Sequence, residues 1–112
     1  AIVTDLPSAF YLTAAQVPLR TAEACVRALE LARTAAESGN ENAVSDAGVA
    51  GWLARAGAEG AALNVKINLP SVSESERPGL AGRADRALER ARALHEAIVE
   101  RVRQRMPSPA AV

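Results

Sequence analysis

Apolar residues recur every three or four positions along three long stretches of the chain, the spacing typical of helices that bury one face. The pattern predicts helices over residues 10–38, 45–68 and 78–105. The third stripe is the most regular and consists of Leu80, Ala84, Ala87, Leu88, Ala91, Leu94, Ile98 and Val102. We therefore expect an all-α protein built from three long helices.

Helix-breaking residues set the ends of these helices. Residues 1–9 form a predicted lead-in, in which Ser8 caps the first helix through its hydroxyl. Gly39 is the stop signal of the first helix. Pro70 ends the second, because the residue before a proline avoids the helical region. Residues 106–112 are predicted to form a flexible tail.

The first predicted helix contains a proline, and the second contains four glycines. Pro18 either starts a new helix or kinks one long helix. Each glycine inside a helix costs about 1 kcal/mol relative to alanine. Close packing against other helices would offset that cost, so we expect these small residues to be buried: Gly48, Gly51, Gly57 and Gly60.

The composition predicts a thin core. Apolar residues make up 49% of the 112 residues, but only 3% are aromatic. Alanine supplies much of the apolar share; it lets helix axes approach closely but buries little area. We treat residues 1–112 as a single domain or the C-terminal portion of one. We expect an antiparallel helical bundle that is completed by a partner chain or by a missing N-terminal half.

Charge and cysteine content argue against several classes of function. The 13 basic and 13 acidic residues cancel, which argues against a nucleic-acid partner. The single cysteine, Cys25, allows no internal disulfide and indicates a reducing compartment. Because there is no membrane-spanning run and no signal peptide, we expect a cytoplasmic protein without a membrane partner. One histidine and one cysteine do not build a metal cluster, so no metal is expected.

Three segments carry polar residues in a specific order: Gln16-Val-Pro18-Leu19, Gly39-Asn40-x-Asn42-x-x-Ser45-Asp46-Ala-Gly-Val-Ala50 and Gly60-Ala-x-Leu-Asn64-Val-x-Ile-Asn68-Leu69. Over about residues 14–105 their order and spacing resemble the cyclodeaminase domain of formimidoyltransferase-cyclodeaminases and the related methenyltetrahydrofolate cyclohydrolases. The resemblance implies an all-helical, homodimeric bundle that acts on a tetrahydrofolate derivative carrying a one-carbon group.

The resemblance covers only the C-terminal half of that family domain. The family domain begins earlier, with a helix that opens on a Pro-Gly-Gly-Gly-Ser segment, and residues 1–13 match it poorly. We therefore expect either a fragment or a shortened relative. The alternative from another functional class is an inactive helical module that only dimerises or serves as a scaffold.

The resemblance makes Asp46 the candidate catalytic residue. Its carboxylate would pass a proton to the leaving amine or orient a water molecule. The structural alternative is that Ser45 or Asp46 caps the second helix, where the helix dipole favours an acidic side chain.

The candidate folate-binding residues are polar side chains of the same segments: Asn40, Asn42, Ser45, Asn64 and Asn68. The first two asparagines are equally suited to a turn. Asn64 lies in mid-helix, where an amide needs a partner on another helix or on a ligand. Asn68 binds the ligand or closes the helix, and Lys66 meets the glutamate tail of a folate or stays solvated.

Two residues outside these candidates have structural interpretations. Trp52 is expected to pack between helices, with stacking on a pterin ring as the alternative. His95 is expected at the boundary of the third stripe with its hydrogen bonds satisfied. The arginines that alternate with acidic residues from Arg83 to Arg92 indicate a solvated face.

The implied reaction is cyclodeamination of 5-formimidoyltetrahydrofolate to 5,10-methenyltetrahydrofolate with release of ammonia. The alternative is the sister reaction, hydrolysis of 5,10-methenyltetrahydrofolate to the 10-formyl form. Asp46 and Asn64 share one side of the second helix but lie roughly 27 Å apart along it. A symmetric antiparallel homodimer would bring Asp46 of one chain towards the partner's Asn64.

Overall fold

The computed structural model describes residues 6–107 as a bundle of three long helices. They are α1 (Ser8–Ser38), α2 (Val44–Asn68) and α3 (Arg77–Arg105). Short turns of the tighter 3-10 type, Glu41–Ala43 and Leu69–Ser71, precede and follow α2. Because these residues include no strand, the prediction of an all-α fold with three long helices is confirmed.

Each helix begins one or two residues earlier than the apolar pattern predicts. The expected cap by Ser8 is wrong, because Pro7 occupies the capping position of α1 and no side chain caps this helix. A proline fits there, since the first amide groups of a helix have no intrahelical acceptor. Pro18 lies inside α1, which continues through it as one helix. The predictions for lead-in residues 1–5 and tail residues 108–112 fall outside the described residues.

Consecutive helices of the bundle run antiparallel. The end of α2 lies against the start of α1, where the Asn68 side chain reaches Ala14. The start of α2 lies against the end of α3, where Gly48 faces Val102. The largest fully buried side chains come from all three helices: Leu19, Leu29, Val44, Val65, Leu94, His95 and Ile98. None of the three helices combines the length and apolar character that a membrane span requires.

Close helix approach explains two of the four glycines of α2. A Cβ atom at Gly51 would lie 3.1 Å from Cγ2 of Ile98 on α3, and one at Gly57 would lie 2.8 Å from Sγ of Cys25 on α1. Gly60 differs, because it is exposed and a Cβ atom added there would meet no heavy atom within 4 Å outside its own helical turns among the described residues. The expectation that these small residues are buried is therefore wrong for Gly60.

Two arginines of α3 bind backbone carbonyl groups at or just after the ends of the other two helices. Arg77 donates hydrogen bonds to the carbonyl oxygens of Leu69 (3.0 Å) and Val72 (2.8 Å), just after α2. Arg105 donates to the carbonyl oxygens of Ala36 and Gly39, each at 2.8 Å, at the end of α1. The last carbonyls of a helix lack intrahelical donors, so Arg105 satisfies a group that α1 leaves open, whereas Arg77 holds the turn that follows α2.

Candidate functional site

A groove of about 440 Å³ lies between α1 and α2 and opens to solvent. It brings together parts of the first and third polar segments, since α1 contributes Pro18 and α2 contributes Asn64 and Asn68. The full lining is Ala14, Val17, Pro18, Thr21, Gly57, Ala61, Asn64 and Asn68. No residue of the lining is charged, so this groove suits an uncharged part of a ligand with hydrogen-bonding edges.

The two candidate asparagines of the groove differ in how much of their amide is free. Asn68 donates from Nδ2 to the carbonyl oxygen of Asn64 (2.9 Å) and to that of Ala14 (3.4 Å). Both hydrogens of its amide nitrogen therefore point at protein carbonyls, and Oδ1 alone stays free. The Asn64 side chain has no hydrogen-bond partner within residues 6–107 and is exposed. Asn64 thus offers a ligand both a donor and an acceptor.

The remaining candidates lie at the opposite end of α2, outside this groove. Asn40 accepts a hydrogen bond at Oδ1 from the backbone nitrogen of Asn42 (2.9 Å), which forms a side-chain-stabilised turn. Asp46 is exposed in the first turn of α2, where the dipole favours it. Neither Ser45 nor Asp46 caps the helix, because Ala43 holds the capping position and no side chain bonds there. Over 18 residues, α2 separates Asp46 from Asn64 by roughly 27 Å.

Trp52 of α2 and His95 of α3 form a separate aromatic pair. Trp52 is 60% exposed, so the prediction that it packs between helices is wrong. The centroid of its ring lies 4.1 Å from that of the His95 ring, and the two rings meet edge to face. Trp52 is not part of the lining of the α1/α2 groove, so within one chain it stacks on nothing bound there.

His95 is held in its neutral form by its surroundings. It is 1% exposed, and burial together with the nearby Arg55 lowers its pKa, against the opposite effect of Glu96. Arg55 donates to Nδ1 at 3.1 Å, which leaves the proton on Nε2. Nε2 is buried without a partner among the described residues, so the expectation of a fully satisfied histidine is wrong. His95 does not line the groove that holds Asn64; it borders a separate surface pocket between α2 and α3, together with Trp52 and Arg55.

Ion pairs join α3 to the other two helices. Arg83 binds Glu23 of α1 through both carboxylate oxygens, and Arg92 binds Glu59 of α2 in the same way. The hydrogen bond from Arg92 lowers the pKa of Glu59. Both pairs are exposed, in line with the predicted solvated face, and exposed pairs add little stability. Lys66 is also exposed, 3.9 Å from Asp85.

One face of α2 carries exposed apolar residues. Val49, Leu53, Leu63 and Ile67 are between 57% and 78% exposed, and Ala56 and Gly60 lie between them on the same face. The spacing alternates between four and three residues, which is the heptad spacing of paired helices. We call this set the α2 stripe: Val49, Leu53, Ala56, Gly60, Leu63 and Ile67. Contiguous exposed apolar surface of this kind marks an interaction surface.

The groove contains residues that the sequence analysis did not select. Val17 and Thr21 of α1 line it, and so does Gly57 of α2, although only polar side chains were candidates. The sequence signal that could have located this groove on α1 was Pro18, a helix-breaking residue inside an apolar stripe. No group of three or more His, Cys, Asp or Glu side chains within residues 6–107 is placed to hold a metal ion.

Comparison with known proteins agrees with the motifs. The family model described as formiminotransferase-cyclodeaminase matches residues 7–79. The match includes the groove and all three polar segments but ends at the start of α3, so it is shorter than the resemblance over 14–105 suggests. No solved structure matches the chain.

A methenyltetrahydrofolate cyclohydrolase of Methylorubrum extorquens is 45% identical over 62 residues. These residues are 55% of this chain and 30% of the relative, so the chain matches under a third of that protein's length. The family model, by contrast, covers well over half of this chain. The chain belongs to the formiminotransferase-cyclodeaminase family.

Proposed function

We propose that this chain is part of a cytoplasmic folate-dependent one-carbon enzyme and that a reduced folate binds in the α1/α2 groove. The observation that carries the proposal is the free Asn64 carboxamide, which a family motif supplies and the fold places in an uncharged groove. A pterin edge presents paired donors and acceptors, which one carboxamide matches with two hydrogen bonds. The single cysteine accords with a reducing compartment.

The proposed reaction is cyclodeamination of 5-formimidoyltetrahydrofolate. N10 attacks the formimidoyl carbon, and a proton moves from N10 to the departing nitrogen. Ammonia then departs, and its loss forms the 5,10-methenyl bridge. The protonated substrate and the methenyl product carry the same charge, so the step needs one proton transfer and no other reactant. Asp46 is the proposed carrier of this proton.

We propose a homodimer because a single chain keeps Asp46 and the groove apart. The α2 stripe supports a second copy of this chain as the partner, because its residues are spaced symmetrically about position 58. Val49 and Ile67 lie nine positions from it, Leu53 and Leu63 five, and Ala56 and Gly60 two. In an antiparallel pair with a two-fold axis at that level, every stripe residue meets its counterpart, and small residues meet at the centre.

This register gives Asp46 a place in the site. Asp46 lies twelve positions from 58 and reaches the level of position 70 on the partner helix. At 1.5 Å per residue, it comes roughly 3 Å along the axis from the partner's Asn68 and roughly 9 Å from the partner's Asn64. Each groove would then combine carboxamides of one chain with the carboxylate of the other.

The relative from Methylorubrum extorquens favours a second candidate, the cyclohydrolase reaction. Water would add to the 5,10-methenyl bridge and the bond from carbon to N5 would break, which yields 10-formyltetrahydrofolate and a proton. The same residues serve this reaction, with Asp46 accepting the proton of the attacking water.

The absorbance of the conjugated methenyl bridge tests both candidates at once. Cyclodeamination creates this chromophore from 5-formimidoyltetrahydrofolate and releases ammonia, whereas hydrolysis removes it. We expect Asn64→Ala to abolish this change in absorbance. Gln104→Ala, which removes an amide at an exposed position of α3, should leave it intact. A folded chain that turns over neither substrate and does not bind 5-formyltetrahydrofolate in calorimetry would favour the scaffold alternative.

A further inference from the structure

Pro18 leaves one carbonyl of α1 without its normal partner. In a helix, the carbonyl oxygen of residue 14 accepts a hydrogen bond from the amide of residue 18. Pro18 has no amide hydrogen, and its ring pushes against the carbonyl four residues earlier. The Ala14 oxygen is therefore available on the groove side of α1, where both residues line the wall.

The end of α2 supplies a donor to this carbonyl. Nδ2 of Asn68 lies 3.4 Å from the Ala14 oxygen and 2.9 Å from the Asn64 oxygen. The orientation of the amide is fixed by chemistry, because two carbonyl oxygens require the nitrogen and not Oδ1 to face them. One side chain thus joins the opened turn of α1 to the turn of α2 that carries Asn64.

We infer that Asn68 is a positioning residue that replaces the donor removed by Pro18 and thereby sets the width of the groove at Asn64. The inference rests on the proposed function only for the identity of the ligand. Asn68 then does not contact the ligand through its amide nitrogen, and the ligand meets the unpartnered Asn64 carboxamide instead. The polar segments around Pro18 and Asn68 act as one unit, although 50 residues separate them in sequence.

A double-mutant cycle in the 112-residue chain tests the link between the two residues. Asn68→Ala should lower the ratio of folded to unfolded chains about fivefold, the effect of one hydrogen bond. In the Pro18→Ala background the new backbone amide of residue 18 donates to the Ala14 oxygen. There, Asn68→Ala should lower the ratio of folded to unfolded chains by less than about twofold. Asn68→Leu, which keeps the branched shape of the side chain but has no donor, should behave in the same way.

Asn64→Ala is the matched control, an amide lost from the same helix without a bond to α1. Asn64→Ala should lower stability by the same amount in the unmodified chain and in Pro18→Ala. If Asn68→Ala also lowers stability equally in these two backgrounds, the inference is overturned. If Asn68→Ala alone does not fold, the variant that combines Pro18→Ala with Asn68→Ala decides the question. A folded double variant supports the link. A double variant that is unfolded, although Pro18→Ala alone folds, contradicts it.

Binding of 5-formyltetrahydrofolate, measured by calorimetry on folded variants, tests the positioning role. Asn68→Ala should weaken binding more than fivefold with Pro18 present and distinctly less with Pro18→Ala. Unchanged affinity in folded Asn68→Ala would overturn the positioning role even if the stability cycle shows coupling. Absence of binding by the unmodified chain would count against the proposed function, while the stability cycle still decides whether Asn68 replaces the donor.

Discussion

His95 is a buried titratable group whose charge state affects folding. Its pKa is lowered, chiefly by burial, whereas a histidine in the unfolded chain titrates near 6.5. Between these two pKa values the unfolded chain binds more protons, so stability falls as the pH drops through the unfolded pKa. The fall ends below the folded pKa, where both states are protonated.

We predict that the thermal midpoint of the chain declines as the pH is lowered from about 7 to about 5, and that His95→Phe reduces this decline. Phenylalanine keeps a ring against Trp52, whose fluorescence reports unfolding because it is the sole tryptophan. If the thermal midpoints of the unmodified chain and of His95→Phe decline equally, the pH dependence arises from groups other than His95.

Among the glycines of α2, Gly57 is the one at which an added Cβ atom would lie closest to a neighbouring helix. Because a Cβ atom there would lie 2.8 Å from Sγ of Cys25, Gly57→Leu should separate α1 from α2 and destabilise the fold by about 1–3 kcal/mol or more. Gly79→Leu is the matched control on α3, where no heavy atom lies within 4 Å of the added Cβ. Melting curves that do not distinguish the two variants would count against close packing at Gly57.

Single residues were predictable where local chemistry decides their role. Asn64 stands out because an amide in mid-helix competes with the backbone, and Asn40 suits a turn for the same reason. Trp52 and Asn68 were not predictable in this way. Whether an indole is covered, or which carbonyl an amide meets, depends on a neighbouring helix that periodicity does not locate.

Arg105 acts at the scale of helix ends, because it joins α3 to the last turn of α1. Arg105→Met should remove two charge-assisted hydrogen bonds to the Ala36 and Gly39 carbonyls and cost about 1–2 kcal/mol in urea unfolding. Arg101→Met is the control, since Arg101 is exposed and bonds only Gln104 within the described residues. A loss no larger than that of the control would mean that solvent replaces Arg105 at this helix end.

Helix number and extent followed from apolar spacing, because each helix buries one face against the other two. The single ambiguity was Pro18, which favours either a break or a kink when only its own segment is considered. The structure continues α1 through it, and the donor that compensates lies on α2, 50 residues later. Local sequence does not contain that compensation, so no local argument could choose between the alternatives.

At the scale of the whole molecule, the α2 stripe is the surface that the fold leaves uncovered. If two copies pair along it, Leu53→Glu places a charge in an apolar contact, and we predict dissociation into monomers that keep their helical content. Leu31→Glu makes the same change at an equally exposed leucine of α1, outside the stripe, and should leave the dimer intact. Sedimentation over a range of concentrations measures both, and a monomeric unmodified chain would refute the dimer.

The last prediction follows from sharing one groove between two chains. In the proposed register, each site takes Asn64 from one chain and Asp46 from the other, so Asp46→Asn and Asn64→Ala homodimers each lack one essential group at both sites. When the two variants are mixed and exchange subunits, half of the dimers are mixed, and each mixed dimer holds one site with both groups intact. Activity should therefore recover to about a quarter of the unmodified value. Exchange verified by mass, with no recovery, would mean that the residues do not combine across the dimer.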